Sequence, residues 1–195
     1  MRPLTILKRD KVKALLEQEQ NLFKQNHPYS FELYQRAKNS LLAGVPMHWM
    51  TRWPGGFPVF VSEAKGATFK DVDGNDYIDL CMGDTGAMTG HAPEAVKPVI
   101  LEQLSKGITT MLPSENALWV AEELQRRFGL KYWQFALTAT DANRFSLRLA
   151  RATTKRPKVL VFNGCYHGTV DEAYISIYDG KPQSRMGNIG PQIDP

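Results

Sequence analysis

Cysteine is nearly missing from this sequence. Cys81 and Cys165 are the only two in 195 residues, and they lie far apart with no CxxC spacing. That excludes the disulfide framework of a small secreted domain and a zinc site built on cysteine pairs, and it favours a reduced, intracellular setting. Long apolar runs are missing too: nothing approaches the roughly 20 residues of a membrane span. The start, MRPLTILKRDK, carries too short an apolar stretch for a signal peptide or anchor. The expectation is a cytoplasmic protein with no membrane partner. A strong charge imbalance is also absent, the formal net charge being +4. The clearest basic cluster, Lys8, Arg9, Lys11 and Lys13, is mixed with acids and glutamines and reads as a solvated helix face. With no base-stacking motif, finger or long basic run beside it, a nucleic-acid partner is not expected.

What is present is 43% hydrophobic residues, enough for one sizeable domain, or a domain and an appendage, with a real core. Residues 8–24 predict a charged, weakly amphipathic helix with Leu15, Leu16, Leu22 and Phe23 as its apolar positions. HPYS breaks it, and Ser30 is placed to N-cap a second helix with Tyr34, Ala37 and Leu41 at helical spacing and Gly44 as its stop. VPMHWMTRWPGG, residues 45–56, has no period and reads as a buried crossing loop or a pocket wall. Three β-like runs follow, Val59–Ser62, Thr68–Asp71 and Tyr77–Leu80, divided by Lys65-Gly66 and Asp73-Gly74, which predicts a small antiparallel meander. The glycines at 83, 86 and 90 match neither Gly-x-Gly-x-x-Gly nor a P-loop. Pro93 opens a helix to about Ser105, and Ser114 caps another that ends at Gly129.

Beyond Gly129 the texture changes to strand, helix, strand. Tyr132–Leu137 and Lys158–Phe162 are apolar runs on either side of a helix at 141–152, which predicts a βαβ unit with parallel strands and an α/β architecture entered late. Parallel strands place both C-terminal ends at one sheet edge, where open α/β folds hold ligands. Thr138-Ala139-Thr140-Asp141 and Asn163-Gly164-Cys165-Tyr166-His167-Gly168 both fall there. The first loop opens a helix, so its free N–H groups and positive dipole end suit an anion. Thr138 and Asp141 at capping-box spacing suit an ordinary cap equally well. In the second loop Tyr166 offers a ring face and His167 a proton-exchanging ring, unless both are simply packed. A phosphate cup beside an aromatic platform would suit a planar, phosphorylated ligand.

These stretches resemble a known family. TATDANRFSLRLARA is similar to the Ser-Gly-Thr-Glu-Ala-Asn helix start of class III, pyridoxal-phosphate-dependent aminotransferases, and FNGCYHGTVD is similar to their Tyr-His-Gly loop. PGGFPVFVSEAKGATFKDVDGNDYIDL followed by GHAPEAV resembles the N-terminal region of the same family, nearest its glutamate-1-semialdehyde aminomutase-like branch; the likeness covers roughly residues 30–175. It implies part of the fold type I architecture: N-terminal helices and a meander over residues 1–92, then the first part of a mainly parallel large-domain sheet over 93–195. It implies pyridoxal 5'-phosphate as cofactor, a small-molecule amino donor and oxo acceptor as substrates, and a homodimer. Ala139 and Thr140 would contact the phosphate, Tyr166 would stack on the pyridine ring, and His167 would lie beside it. Asp141 and Asn143 would shape the helix start. Trp53 and Arg52 stand where some relatives meet the substrate, although a surface arginine beside a packed tryptophan reads as well. Ala139 replaces a customary glycine, and Asp141 is one methylene shorter than the customary glutamate.

One part of the family's chemistry has no match. Its lysine, which binds the cofactor covalently, and its ring-nitrogen aspartate lie well downstream of the Tyr-His-Gly loop, and neither Lys158 nor Lys181 matches the lysine position. No catalytic residue is therefore nominated, and the sequence reads as the N-terminal portion of a longer subunit, with exposed sheet edges and poor stability expected of the portion alone. The family activity, amino-group transfer or the related intramolecular exchange, competes with a non-catalytic fragment or interaction partner. A cysteine hydrolase built on Cys165 and His167 fits the residue types but not the geometry of a tight glycine loop.

Overall fold

The computed structural model describes residues 8–184, and the chain divides into two compact units, residues 1–110 and 111–195. Among the described residues no helix is long and apolar enough to cross a membrane.

The first unit opens with α1, Arg9–Asn26, and α2, Pro28–Ala37, joined at His27. Ser30 does not cap α2. Pro28, with its fixed φ and no N–H to satisfy, opens the helix two residues earlier. The orphan amides of Tyr29 and Ser30 are taken instead by the Asp73 carboxylate, at 2.6 and 3.0 Å. Ser30 is wholly buried, and its hydroxyl accepts the Phe60 N–H at 3.2 Å. The predicted run to Leu41 stops at Ala37, and 42–44 and 48–52 form short 3-10 turns.

The meander is present: β1 (Val61–Lys65), β2 (Thr68–Asp71) and β3 (Asp76–Ile78) pair antiparallel in that order. β1 begins two residues later than the sequence suggests, and its pairing with β2 shifts register between Val61 and Glu63. Phe69 and Tyr77, directly paired, stack at 4.7 Å between ring centroids.

A polar knot fastens the meander to the helices. Asp71, 1% exposed, accepts the backbone N–H groups of Asp73 and Asn75 on one oxygen and the Asn75 amide and Tyr77 hydroxyl on the other. Burial pulls its carboxyl upward, but those donors together hold it below the usual range. Tyr77 is pushed up to about 12 by its own burial and by the Asp71 carboxylate it serves. His27 spans the knot, its Nδ1 2.6 Å from the Phe23 carbonyl and its Nε2 2.6 Å from the Tyr77 hydroxyl. Beside it Phe57 gathers Phe23, Phe31 and Tyr34 at 4.9–6.1 Å, the aromatic centre of the unit. Later in the unit, α3 (Lys97–Lys106) starts after a turn at Pro93, because a second proline, Pro98, sits naturally in a first helical turn.

The second unit holds α4 (Glu115–Phe128), ended by Gly129 in the left-handed region, and α5 (Ala139–Thr154), followed by the hairpin β4 (Ile175–Tyr178) and β5 (Lys181–Ser184). Asp179 and Gly180 both have positive φ, as a two-residue hairpin turn requires. Lys181, expected in a polar tail, opens β5. Ser114 stands at the start of α4 without a side-chain bond.

The predicted parallel strands are not laddered. Residues 132–137 and 158–162 run without sheet pairing, and the sheets among the described residues are antiparallel. A strand exists only through its neighbour, and the described residues supply neither segment with one. Most of their apolar side chains face solvent: Leu137 is fully exposed and Leu160 is 84% exposed. The buried patch of this unit lies instead at Val170, Ala173, Tyr174 and Ser176. Arg151 secures its rim, donating to the Pro157 carbonyl at 2.8 Å and pairing with Glu172.

Candidate functional site

The start of α5 resolves the choice between cap and cup by dividing its amides. Thr138 is the N-cap in extended conformation, and its hydroxyl accepts the Asp141 N–H at 3.1 Å while donating to the Asp141 carboxylate at 2.9 Å. The Thr138 carbonyl takes the Ala142 N–H at 3.1 Å. The amides of Ala139 and Thr140, first and second in the helix, have no hydrogen-bond partner among the described residues. Two open N–H groups at the positive end of a 16-residue helix remain available to an anion.

Thr140 adds a third donor. Its hydroxyl oxygen accepts the Thr169 N–H at 3.1 Å, which leaves the hydroxyl proton to give. The contact also explains Gly168. Its φ is +77°, and a Cβ there would lie 2.2 Å from Thr140 Oγ1 and 2.9 Å from Thr140 Cα, so only glycine lets the loop reach the helix. The sequence shows a glycine in that loop but not what it approaches; Gly168 and Thr169 are the residues that sequence reasoning missed.

Asn143, expected to shape the helix start, reaches outward: its side-chain N–H donates to the His167 carbonyl at 3.0 Å. Of the two, Asp141 joins Thr138 in the cap. The two loops foreseen to share a space are therefore joined, by Thr140 to Thr169 and by Asn143 to His167. Tyr166 is 58% exposed, and the His167 side chain is exposed as well. At the base of the loop Asn163 accepts the Ile177 N–H at 2.9 Å, tying it to β4.

Trp53 and Arg52 belong to the first unit, whereas Ala139, Thr140, Tyr166 and His167 belong to the second. Arg52 closes the 3-10 turn His48–Arg52, and Trp53, half exposed, meets Trp49 edge-on at 6.1 Å. Lys158 is exposed on its unpaired segment.

Known proteins resemble this chain in sequence and fold. The chain is 47% identical, with a TM-score of 0.87, to the crystal structure of a glutamate-1-semialdehyde-aminomutase from Pseudomonas aeruginosa PAO1, over 94% of this chain and 41% of that one. An omega-transaminase from Sphaerobacter thermophilus matches at 28% identity and TM-score 0.73, over 84% of this chain and 38% of that one. Among curated sequences, glutamate-1-semialdehyde 2,1-aminomutase from Methanosphaera stadtmanae is 37% identical over 77% of this chain and 36% of its own length. The chain thus spans about two fifths of the length of such relatives and carries part of their α/β fold. The sequence model described as Aminotransferase class-III matches residues 49–192, and the chain belongs to that family.

Proposed function

We propose that this chain contributes the phosphate- and ring-binding half of a pyridoxal-phosphate site in an aminotransferase or aminomutase. The observation that carries the reading is the open start of α5: two amides without a partner among the described residues and a hydroxyl that accepts the Thr169 N–H, tied to the loop that bears Tyr166. These groups fit the cofactor's two recognisable parts. Ala139 and Thr140 donate their N–H groups, and Thr140 its O–H, to the phosphate, with the helix dipole in support. Tyr166 lies on a ring face, and His167 borders it. When bound, pyridoxal phosphate supplies an electron sink for the carbon that bears the amino group. The Ala139 methyl sits where the family places glycine, which keeps the phosphate on the amides while limiting its depth of approach. Arg52 and Trp53 are offered as substrate contacts, an arginine being suited to a substrate carboxylate.

In the same reading residues 1–92 form a small-domain or arm segment and 93–195 begin the cofactor-binding domain of a cytoplasmic homodimer. The substrates are an amino acid or amine and an oxo compound. A structure of an aminomutase from Pseudomonas aeruginosa in complex with PMP supports the choice of cofactor. The test is to bind pyridoxal phosphate to the complete protein, reduce with borohydride and map the labelled lysine. A label outside residues 1–195 is expected. A label at a lysine within them would overturn the division of labour, and no cofactor binding would favour a non-catalytic interaction role.

A further inference from the structure

We propose that the Thr140 hydroxyl couples the two parts of the site: an anion bound at the start of α5 seats the backbone of residues 167–169, and the seated backbone in turn favours the anion. The inference rests on the cofactor reading above and concerns how that site is assembled. The Thr140 amide is one of the two left open at the helix start, and its hydroxyl oxygen accepts the Thr169 N–H at 3.1 Å. A hydroxyl also has one proton to give, and among the described residues this proton has no acceptor. An anion on the open amides of Ala139 and Thr140 provides one. Giving the proton away makes the oxygen a stronger acceptor, so the bond to Thr169 tightens as the anion binds. Threonine suits the task because its branched side chain is stiff about its first torsion, which keeps the oxygen between its two partners.

The loop is held at three points, and only one of them meets the anion. Asn143 donates to the His167 carbonyl at 3.0 Å, and Val170, wholly buried, anchors the far side. Between these two stands Gly168, buried at φ +77°, where a Cβ would lie 2.2 Å from Thr140 Oγ1. The backbone therefore comes close enough to Thr140 for the hydroxyl position and the path of the loop to be set together. The ties at Asn143 and Val170 do not depend on an anion, whereas the tie at Thr140 does. Coupling of this kind is reciprocal: the seated loop presents the Thr140 proton to the anion by as much as the anion steadies the loop.

The test uses the complete protein, with Thr140→Val to remove the hydroxyl at nearly constant shape and Thr140→Ser to keep it; Thr140→Ala replaces the valine variant should that fold poorly. Inorganic phosphate is the probe, because it reaches the helix start without bringing a ring to the loop, and pyridoxal phosphate is titrated in parallel. Amide hydrogen exchange is read over residues 138–141, where it reports occupancy, and over 167–170, where it reports seating. In the unsubstituted protein phosphate is expected to protect both stretches, the second by about two- to tenfold, the scale of one net hydrogen bond. Thr140→Ser should retain the second effect. Thr140→Val should lose it, even at phosphate concentrations that still protect 138–141. Protection of 138–141 alone in the unsubstituted protein would overturn the coupling and leave the phosphate site standing. Protection of 167–170 by phosphate in the Thr140→Val protein would overturn the role of the hydroxyl. A response at neither stretch, with pyridoxal phosphate also unbound, is the failure of the cofactor reading itself, and the coupling falls with it.

Discussion

Asp71 in the first unit and the start of α5 in the second are both places where polar groups converge, and they end differently. Around Asp71 each carboxylate oxygen receives two donors, and the group is sealed from solvent. At α5 the cap consumes the Asp141 and Ala142 amides and stops, leaving Ala139 and Thr140 open. Saturation is what stability asks of a buried polar group. An unsaturated cluster on a firmly held backbone is what binding asks, because its donors lose little on meeting an anion. The first knot is built to hold the fold, and the second fits the proposed anion site.

The largest effect should come from breaking the saturated side. Asp71→Ala strands four donors in a buried place, and a loss of about 3 kcal/mol or more is expected, read by chemical denaturation with a probe in the meander. Cofactor contacts in the second unit should be untouched. Next in size is Gly168→Ala, which forces a methyl into Thr140 at a backbone conformation that disfavours side chains. A destabilisation of roughly 1–3 kcal/mol is expected, with weaker pyridoxal phosphate binding, both visible in thermal unfolding with and without cofactor. Tyr166→Ala sharpens the comparison from the other direction. Stacking of an aromatic face contributes ~0.5–1.5 kcal/mol, so cofactor affinity should fall about two- to tenfold while the unfolding midpoint of the cofactor-free protein stays within error.

One pH dependence should arise in the first unit. Asp71 is held below its ordinary value, so its contribution is present above the unfolded carboxylate range of ~3.9 and is lost as pH falls through the lower folded value. Tyr77 is raised to about 12, so its contribution is present below the unfolded value of ~10 and disappears as pH climbs through the folded one. Protection of the β2 and β3 amides, corrected for the intrinsic pH dependence of exchange, should therefore hold steady between those limits and fall outside them. This is the gentlest of the expected effects, and Asp71→Asn should flatten its acid arm.

Much of this was legible in the sequence, for local reasons. The meander follows from Asp73-Gly74 and Lys65-Gly66, and the α5 cap from Thr138 and Asp141, because turn and cap chemistry lies within a few residues. Ser30 misled for the converse reason. The true cap of α2 is Asp73, 43 residues from the Ser30 amide it holds, and no local pattern announces such a partner. Gly168 and Asn143 share that history: each residue type was visible, but the approach to Thr140 and the reach to His167 exist only once the chain is folded. The unpaired segments at 132–137 and 158–162 have strand composition, but composition does not provide a neighbouring strand.

The central claim is that the open end of α5 holds a phosphate. The most direct test is the dissociation constant of pyridoxal phosphate for the complete protein with Thr140→Ala, beside the unsubstituted protein. A weakening of at least about tenfold is expected, since a charge-assisted hydrogen bond and a loop contact are lost together. An unchanged constant, with the loop still seated, would contradict the account.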